Sequence, residues 1–255
     1  MTWDPTTYLA HATLRERPTA ELLARIPLET AERIYDLGCG TGNSTALLRT
    51  RWPEARITGV DSSETMLTRA RQSGLNADWQ LADLSSFVPP DRPRLVFSNA
   101  AYHWIDDHRT VFTRLADCLT EGGVLAIQMP ANFDAPSHTL LREVASDGPW
   151  AEDVADIRPA NPIHPAADYY DILSGHCRTV DIWYTEYLQV MTGDNPVLGW
   201  VKGTALVPYL DRLQADVRER FLAAYASRLR RAYPPGTDGT TLFPFRRLFV
   251  VAQRH

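Results

Sequence analysis

The run Ile34-Tyr35-Asp36-Leu37-Gly38-Cys39-Gly40-Thr41-Gly42-Asn43 constrains this chain more than any other feature, because a short apolar segment passes directly into three glycines at alternate positions. Residues 34–37 read as the end of a buried strand, and Ser44 to Trp52, with Ala46, Leu47 and Leu48 apolar, as the helix that follows. Glycine accepts positive φ and lets a ligand approach the backbone, while the start of the helix adds free N–H groups and the positive end of a dipole. A strand, glycine loop and helix in this order make a small-molecule cofactor loop, able to seat a carboxylate or a ribose; a tight turn without a ligand is the alternative. Dinucleotide spacing is not met. Gly-x-Gly-x-x-Gly needs its last glycine at position 43, which is Asn, and the third glycine falls one residue early at Gly42. Asp36 would also repel a pyrophosphate, yet it can pair with an ammonium group.

Further strands end in polar residues at regular intervals. Arg56 to Asp61 place a carboxylate where doubly wound folds hold a ribose, with capping of a helix over 62–73 as the alternative for Asp61. Asp78 to Leu84 read as a third strand with Asp83 at its end, where a capping or solvated role is equally open. Leu95 to Asn99 form a fourth, which runs into the polar and aromatic segment Ala100-Ala101-Tyr102-His103-Trp104. An opening helix near Pro18 to Ile26, strands near 33–37, 56–61, 78–82, 95–99 and 123–129, and helix-like stretches between them give an α/β, doubly wound parallel sheet.

Composition excludes several classes. An apolar content of 44% with 22% charged residues is ordinary for a globular protein, and 255 residues suffice for one α/β domain with insertions. A net charge of −5 with dispersed arginines argues against a nucleic-acid partner. Cys39, Cys118 and Cys177 are odd in number and lack Cys-x-x-Cys spacing, so neither a metal site nor a disulfide framework is expected, and a reducing cytoplasm fits. With no basic-then-apolar leader and no apolar run approaching ~20 residues, the expectation is neither export nor a membrane partner. No obligate protein partner is inferred.

The pattern Asp36-x-Gly38-x-Gly40-x-Gly42 resembles the first motif of class I S-adenosylmethionine-dependent methyltransferases. That resemblance implies a Rossmann-like sheet of seven mostly parallel strands, completed by runs at 178–188 and 247–252, the last antiparallel. It implies S-adenosylmethionine as cofactor, held by Asp36, Gly38, Gly40, Gly42, Asp61, Ser62, Asp83, Leu84 and Asn99. Asp61 would accept from both ribose hydroxyls and Asp83 from the adenine amino group, with the Leu84 amide facing a ring nitrogen. His103 and Trp104 would line the transfer site. Residues 130–165, with six prolines, and the largely helical 190–244, with a strong helix over 216–233, are insertions in a single domain 1–255 and are expected to form a helical lid.

A closer likeness lies in Glu21–Leu28, Asp36–Thr45, Arg56–Ser63, Gln128-Met129-Pro130, Asp168-Tyr169-Tyr170-Asp171-Ile172-Leu173 and Arg247-Leu248-Phe249, which are similar to segments of trans-aconitate 2-methyltransferases. The resemblance implies esterification of a carboxylate of trans-aconitate or a related tricarboxylate, with a monomethyl ester and S-adenosylhomocysteine as products. A carboxylate with a pKa near ~4 is already the nucleophile at neutral pH, so no general base is required and positioning dominates. Donors for a trianion should be cationic or hydroxyl-bearing, and Arg17, His164, Tyr170, Trp200 and Arg247 are the expected substrate contacts. Arg15 would meet the cofactor carboxylate or make a surface ion pair, and a structural arginine at a strand start is the alternative for Arg247. Two rival readings remain: methylation of a hydroxyl or amine with His103 or His164 as base, and a non-enzymatic S-adenosylmethionine-binding regulator.

Overall fold

The computed structural model describes residues 12–157 and 163–255, apart from the side chains of 12–15, so Pro159, Pro162 and the Arg15 side chain lie outside the described residues. In chain order the elements are α1 (Ala12–Arg25), β1 (Arg33–Leu37), α2 (Asn43–Arg51), β2 (Arg56–Asp61), α3 (Glu64–Gln72), β3 (Asp78–Leu81) and β4 (Leu95–Asn99). A 3-10 turn (Tyr102–Trp104) leads to α4 (His108–Cys118), β5 (Val124–Pro130), α5 (Pro136–Ser146), α6 (Ala151–Val154), α7 (Ala166–Leu173) and β6 (Cys177–Met191). α8 (Pro196–Lys202), α9 (Val207–Arg212), α10 (Ala215–Ala232) and β7 (Thr241–Arg254) complete the chain. The sheet order is β3-β2-β1-β4-β5-β7-β6. β1 to β5 pair in parallel and β7 runs antiparallel to β5, as the resemblance implies.

Burial explains the order. Leu95, Val96, Phe97, Val124, Leu125, Ala126 and Ile127 have no exposed surface, the near-continuous apolar run that a strand covered on both faces requires. β3, at the edge, is exposed at Asp78, Gln80 and Leu81 and half-buried at Trp79. α3 starts on Ser63, whose hydroxyl accepts from the Met66 amide, and α4 on Asp107, whose carboxylate accepts from Thr110. The opening helix starts at Ala12, ahead of the expected Pro18, and carries that proline inside it. Both late strands outrun their apolar signal: β6 spans Cys177–Met191, and β7 starts at Thr241 rather than Arg247. Pro244 hid that extension, since proline argues against strand interiors.

Two compact units are present. Of the described residues, the first comprises 12–130, 163–185 and 247–255, and the second 131–157 and 186–246, so β6 and β7 each contribute to both. Within the second, Tyr225 donates to the Ser137 carbonyl, Tyr233 accepts from the Ser137 amide, and Trp150 meets Phe221 edge-on, which joins α5 to α10. Among the described residues no helix is long and apolar enough to cross a membrane.

Candidate functional site

Residues paired across neighbouring strands share a face of the sheet, and side chains alternate along each strand. The pairs Asp36 with Gly59, Asp36 with Phe97, Phe97 with Ala126, Asn99 with Gln128 and Pro130 with Arg247 therefore put Asp61, Asp36, Asn99, Gln128 and Arg247 on one face. All five lie toward the C-terminal ends of the parallel strands, where open α/β sheets bind ligands. From β2 to β7 the row passes from two carboxylates through two amides to a guanidinium.

The three loop glycines all have positive φ, but for different reasons: 77° at Gly38, 55° at Gly40 and 91° at Gly42. A Cβ on Gly38 would lie 2.2 Å from the Ala101 Cβ, and one on Gly42 would lie 2.9 Å from the Trp79 ring. Those two positions are glycine because protein packs against them. A Cβ on Gly40 would meet nothing within 4 Å, so Gly40 alone is the cradle a ligand would use.

Asp61 fixes this cradle. Its Oδ2 accepts from the Gly40 amide and its Oδ1 from the Ser63 amide, each at 2.9 Å. Burial raises its pKa, and those backbone bonds pull it back. Ser63 performs the capping of α3, so Asp61 is not its N-cap, and each of its oxygens keeps a lone pair for a hydroxyl donor. Ser62 beside it is exposed.

Asp36 is fully buried. Its Oδ2 accepts from the Ser44 and Thr45 hydroxyls at 2.7 and 2.6 Å, while its Oδ1 has no hydrogen-bond partner. Burial pushes its pKa up to about 6 against the pull of the two hydroxyls. α2 starts on Gly42, which has no side chain to cap it, and its first-turn hydroxyls are turned to Asp36. An orphaned, buried carboxylate oxygen fits an ammonium group, and the open Gly40 cradle with the Asp61 lone pairs fits a ribose.

At the expected adenine end, Asp83 is exposed, and its Oδ1 accepts from the Ser85 amide at 2.8 Å, which holds its pKa below the usual carboxylate range. Leu84 is buried and lies, with Ala101, around Gly38. Asn99 ends β4 with a buried Oδ1 that lacks a partner. Ala100, at φ 57°, then turns the chain while its amide donates to the Gln128 carbonyl at 2.9 Å.

His103 is buried, and its ring lies 4.9 Å from that of Trp104 in the 3-10 turn. His108 anchors this turn through Nε2, 2.8 Å from the Tyr102 carbonyl, and Nδ1, 2.6 Å from the Tyr169 hydroxyl. A carbonyl can only accept, so Nε2 carries the proton and Tyr169 donates to Nδ1. Burial lowers the His108 pKa, which favours the neutral ring.

The expected substrate residues do not share one element. Arg247 is buried in the row and donates from Nη1 to Gln128 Oε1 at 3.2 Å; it sits inside β7 rather than at its start. His164 packs edge-on against His108 at 5.5 Å and lies 3.6 Å from the Asp168 carboxylate. Tyr170 is 54% exposed on α7. Arg17 is exposed on α1 and pairs with Glu21 at 2.8 Å. Trp200 is buried in the second unit against Phe243 and Phe245, as a core side chain packs. Sequence reasoning missed Ser44, Thr45, Trp79, Ala101, Gln128, His108 and Tyr169 as parts of the site. Only Gln128 carried a visible signal, a polar residue inside the apolar run of β5.

A family model described as a methyltransferase domain matches residues 34–123. A trans-aconitate 2-methyltransferase of Azoarcus sp. (strain BH72) is 49% identical over 253 residues, covering 99% of each chain. The solved YcgJ protein of Bacillus subtilis matches with a TM-score of 0.59 and 15% identity, over 94% of this chain and 99% of that one. Haemonchus contortus phosphoethanolamine N-methyltransferase 2, solved with phosphomonomethylethanolamine and S-adenosylhomocysteine, matches with a TM-score of 0.55 and 16% identity, over 93% and 52%. At such identities the two structures speak for the fold, which with the glycine loop is that of a class I methyltransferase. Full-length identity to the Azoarcus enzyme goes further: the chain belongs to the trans-aconitate 2-methyltransferase family.

Proposed function

We propose that this chain transfers the methyl group of S-adenosylmethionine to a carboxylate oxygen of trans-aconitate or a related tricarboxylate. The products are the monomethyl ester and S-adenosylhomocysteine. The polarity of the row carries this reading: carboxylates at β1 and β2 suit a cationic donor, and the buried guanidinium of Arg247 suits a polyanionic acceptor. Family membership supports the same assignment.

Asp61 would hold the ribose, Asp36 Oδ1 would take the ammonium, and Asp83 and Leu84 would flank the adenine. When bound, the sulfonium supplies an electrophilic methyl: a carboxylate O–CH3 bond forms, the S–CH3 bond breaks, and its electron pair stays on sulfur. No proton moves, so no residue serves as a base. His103 and Trp104 line the transfer site and limit water, which would otherwise hydrate the attacking oxygen. Arg247 holds a non-reacting carboxylate, which fixes the acceptor for in-line attack. Arg17 and Trp200 are assigned to ion pairing and core packing instead. A lid role for the insertions is likewise a proposal, drawn from chain connectivity alone. Free Cys39, Cys118 and Cys177 support the cytoplasm as its compartment.

Incubation with isotopically labelled methyl donor and a panel of aconitate isomers, citrate, a phenol and an amine tests this reading by mass spectrometry. A labelled, base-labile monoester formed from tricarboxylates is the expected product. Label found only on the phenol or the amine would overturn the assignment.

A further inference from the structure

Gln128 is the polar residue within the apolar run Val124–Met129, and none of its surface is exposed. Its Oε1 accepts from Arg247 Nη1 at 3.2 Å. Arginine only donates, so the amide must turn its oxygen to the guanidinium and its nitrogen elsewhere. That buried Nε2 has no hydrogen-bond partner. Its register neighbour Asn99 shows the opposite defect, a buried Oδ1 without a partner. Neighbouring strands lie only ~4.8 Å apart, so an orphan donor and an orphan acceptor stand side by side without bonding each other. Buried polar groups in folded proteins are normally satisfied, and two complementary orphans at a ligand-binding strand end point to ligands as their partners. An acceptor oxygen at Asn99 suits the cationic donor molecule. Two N–H donors at Gln128, on the Arg247 side, suit an anion.

We infer that Gln128 is a specificity-determining residue that donates from Nε2 to the acceptor carboxylate, with its amide oriented by Arg247, so that the methyl donor and methyl acceptor meet between β4 and β5. The inference rests on the carboxylate-methylation reading above. Arg247 polarises the amide through Oε1, which strengthens Nε2 as a donor. Gln128 thereby adds a neutral, directional contact to the cation's unspecific pull.

Glutamate and methionine together separate this role from a structural one. If Gln128 merely accepts from Arg247, Gln128→Glu keeps that bond and strengthens it by charge, so any loss of acceptor binding comes from neutralising Arg247 and is absent in Gln128→Met. If Gln128 donates to substrate, glutamate cannot, and Gln128→Glu raises KM for tricarboxylates about 10- to 100-fold. Its melting temperature stays unchanged or rises, and calorimetric affinity for S-adenosylhomocysteine stays within about twofold. Gln128→Met removes the donors while leaving the Arg247 charge, and a KM rise of about tenfold is expected. A normal KM in Gln128→Met beside a raised one in Gln128→Glu would show that the Arg247 charge acts alone, and the inference would fall. It would fall equally if both variants kept the wild-type KM. The wild-type acceptor panel keeps the two claims apart: esterification of tricarboxylates with unaffected variants sinks the Gln128 role only. A wild type that neither binds nor esterifies any polycarboxylate sinks both.

Discussion

The β1–β2 end of the site and the β5–β7 end are built on opposite principles. At the first, backbone sets the shape: Gly38 and Gly42 are pinned by Ala101 and Trp79, and Asp61 grips the Gly40 amide. At the second, buried side chains set it, with Arg247 held to the Gln128 amide across the β5–β7 pair. A backbone cradle recognises what every donor molecule shares, and its demands are steric. A side-chain clamp recognises charge and shape in the acceptor, and single substitutions there can redirect it. The two ends should therefore fail differently when altered.

Steric failure at the glycine loop should be the largest effect. Gly38→Ala puts a methyl against Ala101 at a backbone φ of 77°, and overpacking together with left-handed strain should cost about 2–5 kcal/mol of stability. Denaturant unfolding measures this loss. Gly40→Ala has no neighbour to strike and should lose only about 1 kcal/mol, yet its methyl would enter the cradle and weaken donor binding. Equal stability losses at the two positions would erase the distinction between packing glycine and ligand glycine.

The clamp end should fail in substrate preference. Arg247→Ala should lower kcat/KM for tricarboxylates by about 2–4 kcal/mol with donor affinity barely changed, the scale for truncating a buried charge pair. Arg247→Lys should restore little, because an ammonium lacks the planar fork. Steady-state kinetics on tricarboxylates and monocarboxylates decide the matter. Equal losses on both acceptors, or a lower melting temperature with normal efficiency in the cold, would make Arg247 a structural residue.

The same division governs how far the site could be read in the residues alone. β1, β2 and β4 keep the bounds 33–37, 56–61 and 95–99 expected of them, because parallel strands covered on both faces leave little choice of residue. The glycine loop was legible because positive φ restricts residue type. At the other end, exposed positions on β6 and Pro244 in β7 blurred both strands, and the substrate residues were chosen by chemical type. Chemical type cannot say where a side chain goes. Arg17 pairs with Glu21 four residues on, Trp200 fills a core, and Arg247 alone of those five takes a place in the row. Gln128 stands within a family-like segment, but only the pairing with Asn99 and the bond from Arg247 bring it into the row.

On the donor side, Asp61→Ala removes both the proposed ribose acceptor and the anchor of the Gly40 amide. Donor affinity should drop by about 1–3 kcal/mol, the scale of losing a buried hydrogen-bond partner, while the fold persists. Calorimetry with S-adenosylhomocysteine reads this directly, and an unchanged affinity in a folded variant would remove Asp61 from the site. Arg247→Ala serves as the control that should leave the same titration almost untouched.

The smallest effect concerns Asp36, whose pKa burial pushes up to about 6. Its unfolded value is ~3.9, so the folded state holds its proton more tightly. The resulting stability is fully present below about pH 4 and is lost as pH rises through about 6, a buried charge being the cost at neutral pH. Asp36→Asn should therefore melt higher than wild type above pH 6, provided the Ser44 and Thr45 hydroxyls still find the amide oxygen. Donor binding should run the other way. An ammonium needs the ionised carboxylate, so wild-type affinity should fall by up to about tenfold for each pH unit below 6. Asp61, also raised by burial, titrates in the same direction, and in Asp36→Asn only its share of the pH dependence should remain. Calorimetric titrations of both proteins between pH 5 and 8 separate the two carboxylates. A flat wild-type profile across that range would mean that Asp36 Oδ1 meets no cation, and that the acidic end of the row owes its charge to the loop's architecture rather than to its ligand.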